Sequence, residues 1–346
     1  MTQEYGNYTQ SVQVPFCKPG EWPPHETIPP SRMAAHVHQA LPTNCRVAII
    51  GLPDDTGVRL NAGRPGAAAG PRAFRAALAR YGVAHPEGWE WPHVFDAGDV
   101  EPAHGRTESA LHETHHRVTS AVRALLDAGL FPIGIGGGHD LTFPFVRAAW
   151  EWLRDNGQLA AEHMGLGGVY FDAHLDVRDT VGSGMPFRRL REDCRVSPLL
   201  CAGFNPLANS REHVQWFLEH GGEIADDDWA EWIRAEGDGS ALLEPLAEAR
   251  HLFCSFDMDV LDASHAPGVS ALNPAGITVK EGARAVMLIA SDPRTCCMDF
   301  MELCPAHDEP HGDTGMGRTS RAAAHLFLHA LLGLSLRPLD SVKGRD

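Results

Sequence analysis

The imidazoles of His139 and His174 and the carboxylates of Asp172, Asp176, Asp257 and Asp259 stand in three short stretches of this chain: Gly136-Gly137-Gly138-His139-Asp140, Asp172-Ala173-His174-Leu175-Asp176 and Ser255-Phe256-Asp257-Met258-Asp259. Each stretch lies where a hydrophobic run ends. Four carboxylates with two imidazoles suit a pair of Mn²⁺ ions, and Ni²⁺ and Co²⁺ tolerate the same donors, whereas a structural zinc would recruit thiolates. Six side chains cannot complete two coordination shells unless carboxylates bridge, so places remain for water between the ions. That arrangement points to catalysis rather than to a structural site. An extended backbone would send Asp172, His174 and Asp176 to one side, and Asp257 with Asp259 likewise.

Singly, an acid or histidine at a strand end is a solvated loop residue or a cap. Three together carry more weight, because charge set directly after runs such as Val169-Tyr170-Phe171 and His251 to Phe256 is costly unless paired or metal-bound. A fifth candidate acid, Glu302, follows the apolar run Thr295 to Met301.

The set GGGHD, DAHLD and SFDMD resembles the ureohydrolase superfamily of arginases, agmatinases and formimidoylglutamases, from about Ala48 to about Leu334. The resemblance implies that His139, Asp172, Asp176 and Asp257 bind one ion and His174, Asp172, Asp257 and Asp259 the other, with Asp172 and Asp257 bridging. It also implies that Glu302 pairs in bidentate fashion with a planar C–N₂ cation. Asp176 would take the proton as activated water attacks the substrate carbon.

The loop after Asp176 separates the branches of that superfamily. Arginases and agmatinases carry a proton-shuttling histidine there, and here Phe187 takes its place within Ser183-Gly184-Met185-Pro186-Phe187-Arg188. That loop resembles formimidoylglutamases, as do Gly57 to Ala67 and Ala266 to Ala271. The implied reaction is N-formimidoyl-L-glutamate plus water to L-glutamate and formamide. Arg178, Arg188, Arg59 and Arg64 are candidate clamps for the two substrate carboxylates, with Ser183 and Asn61 as hydrogen-bonding partners. Arg188 and Arg189 also read as a salt-bridged surface run. The alternative is a guanidino-compound hydrolase releasing urea, and the third reading is a deacetylase-like or non-catalytic relative. His307 or His311 could replace the missing shuttle, and His265 could line the mouth. His112 and His116 read as a solvated or packed helical pair.

Around these residues, apolar runs alternate with helix-like segments. Strands are expected at Val47 to Ile50, His93 to Phe95, Phe131 to Ile135, Val169 to Phe171, Leu199 to Cys201, His251 to Phe256 and Cys296 to Met301. Helices are expected at Pro71 to Tyr81, Thr107 to Ala128, Phe143 to Arg154, Ser210 to His220, Lys280 to Ala290 and Arg318 to Leu332. Such alternation implies an α/β fold with a mostly parallel sheet and ligands beyond the carboxyl ends of its strands. The resemblance implies a three-layer α/β/α sheet of about eight strands. One catalytic domain is expected over residues 45–335, after a proline-rich extended arm over 1–44 and before a tail over 336–346.

The 346 residues are 43% hydrophobic, enough for one large core. A net charge of −16 disfavours nucleic acid and anionic membrane as partners, leaving a small cationic amidine or guanidine, carboxylate-bearing in the preferred reading. No signal-peptide run occurs, so a cytoplasmic protein is expected, and the resemblance implies a homo-oligomer. The 8 cysteines show no CxxC spacing, and Cys201, Cys254, Cys296 and Cys297 read as core. Cys304 near Glu302 finds little support as a nucleophile.

Overall fold

The structure, a computed structural model, describes residues 12–24, 28–82, 91–159, 165–225, 229–230 and 240–337. Residues 1–11 and 25–27 of the expected arm and 338–346 of the expected tail lie outside that range.

Among the described residues one sheet of 10 strands runs through the molecule. In chain order these are β1 Cys17–Lys18, β2 Val37–His38, β3 Val47–Leu52, β4 Val94–Val100, β5 Phe131–Gly136, β6 Leu166–Phe171, β7 Leu199–Ala202, β8 Gly222–Ile224, β9 His251–Asp257 and β10 Thr295–Met301. Their order is β1-β4-β3-β5-β10-β9-β6-β7-β8, with β2 alongside β4. Among these described strands only the β1–β4 pairing is antiparallel. The last two strands insert between β5 and β6, so four loops from distant parts of the sequence open side by side at one sheet end. Such a topological switch point is where open parallel sheets place their sites.

Strands buried on both faces explain the uninterrupted apolar runs. In β3, Val47 and Ile49 face one core while Ala48, Ile50 and Leu52 face the other. Helices Gly70–Leu78, Val279–Ser291 and Arg318–Ser335 cover the first face, and Glu108–Asp127, Thr142–Asp155 and Pro186–Cys194 cover the second. The result is the three-layer α/β/α architecture. Helix starts carry their own signals: Thr107 and Ser210 cap two helices, and Thr278 with Glu281 forms a capping box. Among the described residues no helix is long and apolar enough to cross a membrane.

The segment expected as an extended arm is sewn to its own sheet. It supplies β1, β2 and a 3₁₀ turn at Met33–His36, which raises the strand count above the expected eight. Trp22 Nε1 donates to Asp96 at 2.6 Å. Asp96 and Asp99 flank a fully buried Arg75, at 2.8 and 2.6 Å, and a Cβ at Gly20 would fall 2.3 Å from the Arg75 guanidinium carbon. β4 therefore runs on to Val100, beyond the expected end at Phe95, because its two acids are neutralised from a neighbouring helix. Replacing Arg75 with Met leaves both carboxylates buried without their cation. Chemical denaturation should show a loss of about 3 to 5 kcal/mol, and an unchanged midpoint would contradict this account.

Helix Pro186–Cys194 was not expected from the arginine-rich sequence. Pro186 occupies its first turn, and Arg195 ends it in a left-handed conformation.

Candidate metal centre

His139 follows β5, Asp172, His174 and Asp176 follow β6, Asp257 ends β9, and Glu302 follows β10. The three glycines before His139 serve close approach. None has a positive φ, yet a Cβ at Gly136 would lie 2.0 Å from Sδ of Met301, and one at Gly137 would lie 2.4 Å from the carbonyl oxygens of Leu52 and Asp54.

The acids do not converge through an extended backbone, as expected from alternation. Asp172 Oδ1 accepts the His174 N–H and Asp257 Oδ1 accepts the Asp259 N–H, each at 2.7 Å. Both are Asx-type turns, which fold residue i+2 back beside residue i. Asp176 and Glu302 sit at φ 47° and 62°, uncommon for residues with a side chain.

Two overlapping groups result, in each of which the candidate ligand atoms lie within 4.8 Å of one another: His139, Asp172, Asp176 and Asp257, and Asp172, His174 and Asp259. His139 Nδ1 is 3.1, 3.1 and 3.0 Å from carboxylate oxygens of Asp172, Asp176 and Asp257. His174 Nδ1 is 3.3 Å from Asp172 and 3.2 Å from Asp259. Asp172 alone belongs to both groups, and Asp257, expected to bridge as well, falls in the first group only.

So many like charges in a dry site need a cation. Burial, with Asp259 and Asp172 beside it, pushes the Asp257 carboxyl well above the usual range, and burial with Asp176 and Asp259 raises Asp172. Burial works against charge on His139 and His174, yet the carboxylates hold both imidazoles above their ordinary value. Asp259, although buried, is held low by His174. Among the described residues, His139 Nδ1, Asp172 Oδ2 and Asp259 Oδ1 are buried without a hydrogen-bond partner. These orphaned atoms are the donors a pair of divalent ions would use.

Behind the cluster, His139 Nε2 lies 3.1 Å from Ser255 Oγ, and Ser255 donates to Asp299 Oδ1 at 2.6 Å. Sheet register places Ser255 opposite Asp299. Burial raises the Asp299 carboxyl to about 6. Neither residue was singled out from the sequence, though a serine and an acid inside fully apolar strands were the available signal.

Glu302 is buried, and its Oε1 accepts the His139 N–H at 3.0 Å. Oε2 has no hydrogen-bond partner among the described residues. Burial raises this carboxyl to about 7, against the opposing pull of Ser270 and the His139 N–H.

The other expected residues divide. Asn61 Nδ2 donates to Ser183 Oγ at 3.1 Å, and the stem of exposed Arg178 packs over Gly184. Arg188 is drawn away: it pairs with Glu192 at 3.0 Å on its own helix and lies 4.7 Å over Trp216. Arg59 pairs with Asp55 at 2.8 Å, and Arg64 donates to backbone carbonyls, which commits both to holding loops. Phe187 does not stand at the mouth, where a shuttle would. It is fully buried, stacked on Tyr170 at 3.5 Å and edge-on to His139 at 5.2 Å, so the ring braces a candidate ligand from behind. His265, His307 and His311 belong to neither group of candidate ligands. Burial and the charge of Glu302 push the Cys304 thiol to about 12, unsuited to a nucleophile.

Sheet topology and side-chain clustering together define an α/β/α protein with a binuclear-type carboxylate and imidazole centre at its switch point. The chain belongs to the arginase family, whose profile matches residues 45–333. A formimidoylglutamase of Ralstonia nicotianae is 32% identical over 303 residues, which cover 86% of this chain and 87% of that one. An agmatinase of Bacillus anthracis is 30% identical over 295 residues, covering 83% and 91%. The crystal structure of Trypanosoma cruzi formiminoglutamase with two Mn²⁺ ions is similar with a TM-score of 0.70 and 33% identity, covering 86% of this chain and 95% of that one.

Proposed function

We infer that this protein is a binuclear metal hydrolase of linear amidines, converting N-formimidoyl-L-glutamate and water to L-glutamate and formamide. The observation that carries the reading is the pair of overlapping ligand groups sharing Asp172, with the bare Oε2 of Glu302 close by. His139, Asp172, Asp176 and Asp257 would hold one ion, and Asp172, His174 and Asp259 the other. Two Mn²⁺ ions, as in the trypanosomal relative, would supply the Lewis acidity that activates water at neutral pH.

The chain's own groups do the rest. Glu302 receives the cationic head of the substrate and holds its carbon over the cluster, an orientation secured by the hydrogen bond from His139 N–H. Asp176 is the candidate proton acceptor, since its carboxylate at 16% exposure is the most open of the four. Arg178, with Asn61 and Ser183 beside it, would meet the substrate carboxylates.

A guanidino-compound hydrolase is the second reading, because a lone buried carboxylate would hold a guanidinium as well as a formimidoyl group. Mn²⁺-loaded protein offered formimidoylglutamate, arginine, agmatine, guanidinobutyrate and guanidine separates the two, formamide marking the first and urea the second. Response to guanidino compounds alone would overturn the preferred substrate. With formimidoylglutamate, Arg178→Met should raise KM about tenfold or more. KM for a substrate without carboxylates should stay level, and an equal rise for both would remove Arg178 from carboxylate recognition.

A further inference from the structure

The loop that leaves β7 supplies a side chain that grips the backbone on both sides of His174. Asn209 Oδ1 accepts the Leu175 N–H at 2.9 Å, while Nδ2 donates to the carbonyls of Ala173 and Asn205, each at 2.9 Å. Turned over, the amide would set its oxygen against two carbonyl oxygens and its NH₂ against an N–H, so the partners fix which way it faces. The Ala173 carbonyl also accepts from Asn205 N at 3.0 Å.

Both ends of the ligand loop are held by other groups. Asp172 N donates to the Ala202 carbonyl at 3.0 Å, which continues the pairing of β6 with β7. At the far end the Leu175 carbonyl accepts from Tyr170 Oη at 3.1 Å, and the Asp176 carbonyl from Phe187 N at 3.2 Å. His174 stands between these anchors. Its side chain is 29% exposed, against 1% for His139, so packing does little to fix the ring. Its backbone is set by the Asx turn from Asp172 and by the Asn209 amide on the two neighbouring peptides.

The same loop meets the other end of this ligand group. Gly203, at φ 93°, lies so close to Val260 that a Cβ would fall 2.2 Å from Cγ2 of Val260, the residue after Asp259. Asn205 Nδ2 approaches Asn273 Oδ1 at 3.4 Å, and Asn273 Nδ2 the Val260 carbonyl at 3.5 Å. The segments carrying His174 and Asp259 thus rest on one floor.

We propose that Asn209 is a positioning residue for the ion of the Asp172, His174 and Asp259 group: by clasping the Ala173 carbonyl and the Leu175 N–H it keeps His174 Nδ1 facing Asp172 and Asp259. The proposal deepens the binuclear hydrolase reading and rests on it. The hydrogen bonds of the Asn209 side chain go to main-chain groups, so it acts through the loop.

The test titrates Mn²⁺ into metal-free wild type, N209L, N209A, D259N and N209L/D259N by calorimetry, with electron paramagnetic resonance on the same samples. N209L keeps the bulk of the amide without its donors and acceptor, and N209A removes both. In each, one Mn²⁺ equivalent should bind about 10- to 100-fold more weakly, the usual size for a lost contact behind a metal ligand, and the other as in wild type. At two Mn²⁺ per chain the resonance should show isolated ions where wild type shows coupled pairs. D259N already lacks the His174 ion, so its remaining equivalent should bind equally well in N209L/D259N. Should N209L fail to fold, N209A and N209A/D259N carry the same comparison. Wild-type binding in N209L, equal weakening of both equivalents, or a weaker remaining equivalent in the double variant would each overturn the proposal.

If the wild type binds fewer than two Mn²⁺, the binuclear reading fails. A crystal structure of N209L or N209A still decides the role of Asn209, with the His174 backbone displaced if the amide holds it and unmoved if it does not.

Discussion

Asp172→Asn should yield a folded protein that retains neither ion and hydrolyses its substrate at least about a hundredfold more slowly than wild type. Asp172 is the one side chain common to both ligand groups, with Oδ2 facing His139 and Oδ1 facing His174. The amide preserves volume and can still accept the His174 N–H, so the local turn survives. What disappears is the negative charge that two buried cations would share. With two cations bound, removing one member of a buried charged set costs about 3 to 5 kcal/mol, a loss that falls on ion retention and corresponds to a factor between about a hundred and a few thousand. Metal analysis, activity and thermal unfolding should be measured on one preparation. Without metal the variant should be no less stable than wild type, because one of four crowded carboxylates is gone. Asp259→Asn is the control: Asp259 belongs only to the His174 group, so one equivalent of metal should remain. Full occupancy in Asp172→Asn would refute the shared-ligand geometry.

The element pattern was largely open to the sequence. Strands buried on both faces write themselves as apolar runs, and amphipathic helices with Thr107 or Ser210 at their starts announce their bounds. That pattern breaks where a charge is neutralised from far away. Nothing local says that Asp96 and Asp99 lie within a strand, because Arg75 answers them from another helix. The arginines of Pro186–Cys194 masked a helix whose buried side is Phe187, Leu190 and Cys194. In the N-terminal segment, prolines hid short pairings that depend on the edge of β4.

In the candidate site, residue types were legible and geometry was not. All six expected ligands come together, yet through Asx turns and a left-handed Asp176 in place of extended alternation. Among the arginines, composition could not tell a substrate clamp from a structural one. Arg64 finds its acceptors some 200 positions along the chain, and Arg188 finds Glu192 one turn away on a helix not foreseen. Phe187 shows the same limit. The residue number suggested the mouth, and packing against Tyr170 put it behind His139.

The second large effect concerns which nitrogen of His139 carries a proton. Ser255 has one hydroxyl hydrogen, and the 2.6 Å contact commits it to Asp299. Toward His139 Nε2 at 3.1 Å the serine can therefore only accept, which keeps a proton on Nε2 and reserves Nδ1, facing the carboxylates, for an ion that would take the place of its proton. His174 is half-exposed and has no such strut among the described residues. Asp299→Asn offers Ser255 a donor as readily as an acceptor, so the tautomer is no longer enforced. Ser255→Ala removes the strut altogether. Each should weaken Mn²⁺ binding about 10- to 100-fold, at the His139 site alone, leaving the His174 site loaded. Calorimetric titration should resolve one weakened and one normal equivalent. Electron paramagnetic resonance at limiting Mn²⁺ should show isolated ions where wild type shows coupled pairs, and excess Mn²⁺ should restore turnover. Ser255→Thr keeps the hydroxyl and should retain most of the affinity. Equal weakening of both sites, or wild-type binding in Ser255→Ala, would mean that the carboxylate behind the strand does not govern the imidazole in front of it.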